Sequence, residues 1–226
     1  MFVLFAAMLV YLGVYLFRST QQSYATAPAV LVTVSESGQA SGIVVREEQV
    51  IASDIHEAPL QSALHNAVRY GVRERMSFYR SDGVQQIPHD FDCLICSGLG
   101  GDTMVSILSA APWLRSERYT LVLQCQSKTP LLRRYLSDTG WFLDRETILR
   151  DGKFLYTVIR ALWAPAAPRL TPGGWYLSPA AGNNPPEIYA AYRDYVLNGL
   201  RITLAHQENP EKHQALQELE GQATEI

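Results

Sequence analysis

The chain has little cysteine, little lysine, no clustered histidines and no long run of like charge. Its three cysteines, Cys93, Cys96 and Cys125, cannot all pair and lie in apolar runs, which excludes a disulfide framework and suits a reducing compartment. Cys93-Leu-Ile-Cys96 has the spacing of a redox or metal pair, but such pairs need thiolates at a helix start or loop, and these fall inside a strand pattern. No partner cysteines or histidines complete a zinc site, so no metal is expected and the thiols read as packing residues. Against 3 lysines stand 16 arginines, which favours directed phosphate or carboxylate contacts over diffuse charge. A net charge of −3 gives no general attraction to nucleic acid or anionic lipid. From Arg46 to Arg160, 14 basic residues balance 14 acidic ones, so an RNA-binding surface there must be a local patch.

What is present begins with one long apolar run, residues 1–17, which carries no charge. That length is the lower limit for crossing about 30 Å of hydrocarbon. No basic residue precedes it, and Ala25-Thr26-Ala27 with Pro28 directly after is a poor cleavage site. A membrane anchor over residues 1–18 is therefore expected over a signal peptide, its orientation left open by a lone Arg18. Residues 29–34 and 43–45 read as short strands around a turn, making 19–49 a β segment or linker. The text GQASGIVVREEQVI resembles the entry to the small β-domain of HlyD-type membrane-fusion adaptors. That resemblance implies an adaptor fragment at the start of the chain.

From residue 50 the pattern changes. VIASD reads as a strand ending in a carboxylate, and Pro59 opens a helix with Leu60, Ala63, Leu64, Ala67 and Val68 on one stripe, closed by Gly71. Strands follow at 76–79, 91–96 and 119–125, with helices at 103–110 and from Pro130. Strands at 141–149 and 154–160 are joined through Asp151-Gly152, a strong hairpin signal. Alternating strands and helices imply right-handed crossovers and a parallel sheet covered on both faces, and the last hairpin adds an antiparallel strand. The α/β domain is expected over residues 50–161. Residues 162–226 are expected to form a proline-rich linker and a helical hairpin. Ile188, Tyr192, Tyr195, Gly199 and Ile202 supply its packing stripe, and Asn209-Pro210 caps its last helix.

Three loops fall at consecutive strand ends: Ser53-Asp54-Ile55, Ser81-Asp82-Gly83 and Ser97-Gly98-Leu99-Gly100-Gly101. Open α/β sheets bind ligands at that edge. A carboxylate after the second strand can accept both hydroxyl protons of a ribose, an Asp-Gly at the next strand end suits an adenine amino group, and a glycine-rich strand end exposes backbone N–H groups. Each aspartate alone is an ordinary turn or cap residue; together, ahead of the glycines, they read as a cofactor edge.

With these motifs the sequence resembles the tRNA adenine-N1 methyltransferases of the TrmK type. The matching text is ASDIHEAPLQSALHNAVRYGV, RSDGV, DCLICSGLGGDTMVSIL, LVLQCQSKTPLLRRYLSDTGWFL and ILRDGKFLYTVIRA. The resemblance implies a Rossmann-like class I methyltransferase that uses S-adenosyl-L-methionine to methylate N1 of adenine 22 in bacterial tRNA, a cytoplasmic reaction. It implies Asp54 as the ribose acid, with Ile55 beside it, Asp82 and Gly83 at the adenine, and Ser97, Gly98, Leu99, Gly100 and Gly101 beside the methyl donor. Ala and Met are common in the family where Ser97 and Leu99 stand.

The family's first strand ends in Asp-x-Gly-x-Asp-His, which holds the methionine half of the donor, and no such sequence precedes Val50. The nearest text, Val32-Thr33-Val34-Ser35-Glu36-Ser37-Gly38 with Gly42 after it, has no room for a helix before Asp54. The expected fold is thus a methyltransferase sheet lacking its first βα unit, with an apolar N-terminal helix. A membrane-tethered module that binds RNA or nucleotide without catalysis is the alternative reading. Arg69, Arg73, Arg75, Arg80, Arg133 and Arg134 are candidate phosphate contacts. Asp102, next to the glycines, reads as a helix cap.

Overall fold

The computed structural model describes residues 42–46 and 49–221. The expected anchor at 1–17, the strand at 29–34 and the acidic stretch at 35–38 lie outside the described residues. Among the described residues no helix is long and apolar enough to cross a membrane.

The described chain runs β1 (Gly42–Arg46), β2 (Gln49–Asp54), α1 (Glu57–Arg69), β3 (Met76–Arg80), β4 (Cys93–Gly100), α2 (Gly101–Ser109), β5 (Thr120–Ser127), α3 (Thr129–Asp138), β6 (Trp141–Asp151), β7 (Phe154–Trp163), α4 (Pro172–Tyr176), α5 (Pro186–His206) and α6 (Pro210–Gly221). The strands form one sheet of order β3-β2-β1-β4-β5-β7-β6. β2 with β3 and β4 with β5 pair in parallel, as alternation predicts, and β7 runs antiparallel between β5 and β6. The Asp151-Gly152 hairpin forms where expected, with Asp151 paired to Phe154.

One feature of the sheet departs from expectation. β1 lies between β2 and β4 and is antiparallel to both, Gly42 standing opposite Ser53 on one side and Cys96 on the other. The slot expected to be lost with a first βα unit is filled by a strand that turns directly into β2. Two residues between β1 and β2 leave no length for a crossover helix, and without a crossover adjacent strands must be antiparallel.

Helices cover both faces because side chains alternate along the strands. Leu94, Leu121, Leu123 and Ile159 face Met104 and Leu108 of α2 and Leu132 and Leu136 of α3. Ile95, Val122 and Val158 face α1 through Ala67. Each fully buried leucine here contributes roughly 1.5–3 kcal/mol. The C-terminal helices pack on β6 through Ile148, Leu177, Tyr192, Leu197, Leu200 and Leu219. Asn209 caps α6, its Oδ1 accepting from Lys212 N at 2.9 Å.

The stripe expected on α5 is only partly the packing face. Tyr192 is buried, whereas Tyr195 and Ile202 are 64% and 65% exposed. Tyr192 lies on the border between two stripes, and the helix turns Leu197 and Leu200 inward toward α6 instead.

Arg133 fixes this appendage. Its guanidinium, fully buried, pairs with both Glu146 oxygens and donates to Trp175 O at 3.0 Å, Tyr176 O at 2.8 Å and Tyr192 Oη at 2.9 Å. Burial opposes the arginine's charge, and Glu146 with Tyr192 more than restores it, leaving its pKa raised. Arg133 is therefore not a phosphate contact; α3 points it at the seam between β6, α4 and α5. Asn184 covers the outer edge of β6, accepting from Ile148 N at 2.8 Å and donating to Glu146 O at 2.6 Å. That satisfies strand groups that would otherwise offer themselves to another chain.

Candidate functional site

The ends of β2, β3, β4 and β5 and the start of β1 meet at one edge of the sheet, the carboxyl edge of the parallel strands. Asp54 is buried at the end of β2, and its Oδ1 accepts the His56 N–H at 2.8 Å, so the carboxylate is held by the start of α1. Ser53 Oγ donates to Gly83 O at 3.3 Å and Ser81 N to Asp54 O at 3.0 Å, which ties the β2 end to the β3 turn. Gln86 organises that turn, its Oε1 accepting from Ser81 Oγ at 3.0 Å and from Asp82 N at 2.8 Å. Gly83 has φ +59°, and a Cβ there would meet Ile107 Cγ2 at 2.9 Å, so the turn requires glycine on two counts.

A cavity of about 20 Å³ opens between these loops, lined by Ser53, Asp54, Ser81, Gly83, Val84, Cys96, Leu99 and Ile107. That is room for one water. An adenine ring enters only if Val84, Leu99 and Ile107 move apart.

The glycine stretch is less of a loop than its composition suggests. β4 continues through Gly100, with the register against β5 slipping between Ser97 and Leu99 and again before Gly100. Ser97 is buried, and Gln124 Oε1 accepts from Ser97 Oγ at 3.0 Å and Gly98 N at 2.8 Å. Gly98 N–H is thus engaged inside the protein, not offered to a ligand. Gly101 starts α2 directly beneath β5: a Cβ on it would lie 2.5 Å from Lys128 O. Lys128 is the one non-glycine residue with positive φ (57°) among the described residues, and its Nζ contacts Asp102 Oδ2 at 2.8 Å. That hydrogen bond is the main reason the Asp102 carboxyl is held below the ordinary carboxylate range.

The residues singled out from sequence therefore separate. Asp54, Gly83 and Leu99 share the cavity; Ile55 and Asp82 are exposed beside it; Ser97 and Gly98 turn inward to Gln124; Gly100 and Gly101 abut Ser127 and Lys128. Sequence reading missed Val84, Gln86, Ile107, Gln124 and Lys128. Only Gln124 left a signal, a lone amide in the apolar run LVLQC. The cysteines are packing residues: burial pushes the Cys93 and Cys96 thiols up to about 12 and raises Cys125, so none is a ready thiolate.

Of the six arginines considered for phosphate, Arg80 alone stands at this edge, its Nε donating to Ile55 O at 3.2 Å. Arg69, Arg73 and Arg75 lie at the opposite edge, between the end of α1 and the start of β3. Arg134 pairs with Glu211 at 2.7 Å and lies over the Trp175 ring.

A seven-stranded sheet in this order, with an acid after β2 and glycines ending β4, is the architecture of a class I methyltransferase domain. Residues 44–159, just over half of the chain, match the methyltransferase domain family, and the chain belongs to that family. The match takes in residues 44–51 of the stretch that resembles an adaptor. A Mycoplasma genitalium protein, "Putative tRNA methyltransferase MG248", is 28% identical over 115 residues, covering 49% of each chain; this chain thus spans about half the length of that relative. The Bacillus subtilis m1A22 tRNA methyltransferase TrmK has a similar structure, with TM-score 0.59 and 21% identity over 77% of this chain and 78% of that one. So does Streptococcus pneumoniae Sp1610 in complex with S-adenosyl-L-methionine, at TM-score 0.64 and 21% identity over 76% and 81%. Mycoplasma capricolum TrmK with S-adenosyl-homocysteine gives 0.57 and 18% over 78% of each. The resemblance to TrmK-type proteins thus holds in sequence and in fold, and the C-terminal helices belong to the shared structure.

The described residues fit such a donor only in part. Asp54 and Asp82 offer carboxylate acceptors at this edge, and the cavity beside them must widen before an adenosine half could enter. For the methionine half, the described residues of the β1 slot form no βα turn, because β1 runs antiparallel to both neighbours.

Proposed function

We propose that this chain acts in the methylation of N1 of adenine 22 in bacterial tRNA, with S-adenosyl-L-methionine as donor. The observation that supports it best is the convergence of Asp54, the Asp82-Gly83 turn and the glycine-rich end of β4 on one strand edge, in a chain of the methyltransferase family. Bound there, the donor supplies an electrophilic methyl group. The chain's own part is to hold it: the Asp54 carboxylate accepts from the ribose hydroxyls, Ile55 packs beside the sugar, and Asp82 accepts from the adenine amino group. Ser97, Gly98, Leu99, Gly100 and Gly101 form the wall beside the reacting groups, with Gln124 fixing its shape. Arg80 and Lys128 are the cations placed to meet tRNA phosphates at this edge. Residues 1–17 would tether this activity to a membrane, a reading that rests on sequence alone.

Methyl transfer from labelled donor to unmodified bacterial tRNA tests this directly. Label at N1 of adenine 22, lost when position 22 carries another base, is the expected result. No transfer at any tRNA concentration refutes it. The antiparallel β1 favours a second reading, a module that binds the nucleoside half without turnover; binding of donor by calorimetry without transfer selects that one.

A further inference from the structure

We infer that a strip along β3 holds RNA outside the reacting edge, with Arg69, Tyr70 and Arg73 at its amino end, Ser77 midway and Arg80 at its carboxyl end. The inference rests on the tRNA reading proposed above and goes beyond it by giving the far edge of the sheet a share in the RNA contact.

The strip follows from the local sequence. Residues 69–80 hold four arginines against one acid, Glu74, in a chain whose net charge is −3. α1 ends at Arg69, Gly71 turns the chain at φ +68°, and a short helical turn at Arg73–Arg75 leads into β3, so three arginines are gathered within seven residues. An arginine at a helix C-terminus is accounted for by the helix dipole. The dipole does not account for Tyr70, which is 65% exposed next to exposed Val68, with the Arg69 guanidinium over its ring at 5.7 Å. Arg73 lies over the Phe78 ring at 5.4 Å and donates to Met76 O at 2.9 Å, which fixes its guanidinium although the residue is exposed. Exposed arginine and tyrosine side by side suit RNA, whose phosphates take the guanidinium and whose unstacked bases take the ring. An acidic polypeptide would use the arginines but gain no stacking from the tyrosine.

The strip also reaches the candidate site. β3 is parallel to β2, Val50 standing opposite Met76 and Asp54 opposite Arg80, so it runs from the far edge of the sheet to the carboxyl edge. Arg80 is anchored there by its bond to Ile55 O. At a rise of about 3.3 Å per residue, Met76 and Arg80 lie roughly 13 Å apart, about four stacked nucleotides of one strand. Ser77, exposed between them, offers a hydroxyl to the same backbone. These groups contact phosphate and base faces, so they add affinity without reading sequence, and the affinity they add falls with salt.

Binding of fluorescently labelled, unmodified bacterial tRNA to the full chain, followed by anisotropy at several salt concentrations, tests the point. Arg69→Gln is expected to weaken binding about fivefold and to lower the slope of log affinity against log salt by about one. Arg69→Gln with Tyr70→Ala should weaken it about twentyfold in all with no further change of slope, since the ring contributes stacking and not charge. Both side chains are exposed, so unfolding midpoints should match the parent's; Arg69→Gln alone decides the matter if the double variant is less stable. Parent affinity and slope in the variants overturn the inference while leaving the tRNA reading intact. Polyglutamate bound as tightly as tRNA, and weakened equally by Arg69→Gln, assigns the strip to an acidic polypeptide and overturns the inference too. A parent chain that binds no tRNA removes the tRNA reading and the inference with it.

Discussion

Two regions meet at α3 and treat charge in opposite ways. At the inner seam Arg133 is fully buried, and Glu146, Tyr192 and two backbone carbonyls take up its donors. At the strand edge Lys128, just before the same helix, has a 60% exposed side chain and a single carboxylate partner that is itself 55% exposed. The seam is a lock, since a buried charge without its partner is costly. The edge is adaptable, since water or a phosphate can replace either partner at small cost. One caps α3 and the other lies in its middle, and only their surroundings tell which one is available to a ligand.

The contrast breaks most sharply at the lock. Arg133→Met leaves Glu146 buried without its cation and is expected to cost about 3–5 kcal/mol, read by chemical denaturation. Arg133→Met with Glu146→Leu should recover most of that loss. A single variant as stable as the parent would show that the seam is not held by this pair.

A smaller effect is expected where the two regions touch. Gly101→Ala drives a methyl group into the Lys128 carbonyl, and about 1–3 kcal/mol of stability should be lost as β4 and β5 separate. An unchanged unfolding midpoint would mean that the close approach is absent.

At the edge itself, effects move from stability to binding. Asp54→Asn keeps an oxygen for the His56 N–H but gives up the charge, so affinity for S-adenosyl-homocysteine is expected to fall about tenfold with little change in unfolding. Equal affinity would separate Asp54 from the ligand.

The smallest effect is expected at Lys128. Lys128→Ala should leave the unfolding midpoint in place and raise the Asp102 pKa toward the ordinary carboxylate value, followed by NMR titration. The sign is fixed by the direction of the shift: a lowered carboxyl pKa favours the folded state above the unfolded pKa, and that contribution fades as pH falls through the folded value. An Asp102 titration identical in the variant would show that Lys128 does not set it.

The strands from β2 onward, α1, the hairpin turn and the Asn209-Pro210 cap were legible because periodicity and turn chemistry act within a few residues. The Asp54 strand end and the Ser81-Asp82-Gly83 turn were legible for the same reason, whereas the glycine stretch expected as a loop is strand through Gly100. Which way Ser97 faces was not legible, because the answer lies in Gln124 on another strand. Nor was it visible that Arg69, Arg73 and Arg75 occupy the far edge, or that Arg133 is enclosed by helices more than forty residues further along.

By itself, then, the sequence determined a methyltransferase-type α/β domain whose candidate site residues fall at the ends of β2, β3 and β4. Only the tertiary structure decided that the slot between β2 and β4 is filled, and by a strand running backwards. The two-residue link makes β1 antiparallel to β2, but its insertion beside β4 depends on pairing with a strand that begins at Cys93, and local residue patterns do not encode a partner that distant. That one reversal puts Gly42 beside Ser53 at the carboxyl edge and Arg46 beside Gln49 at the far edge of the sheet.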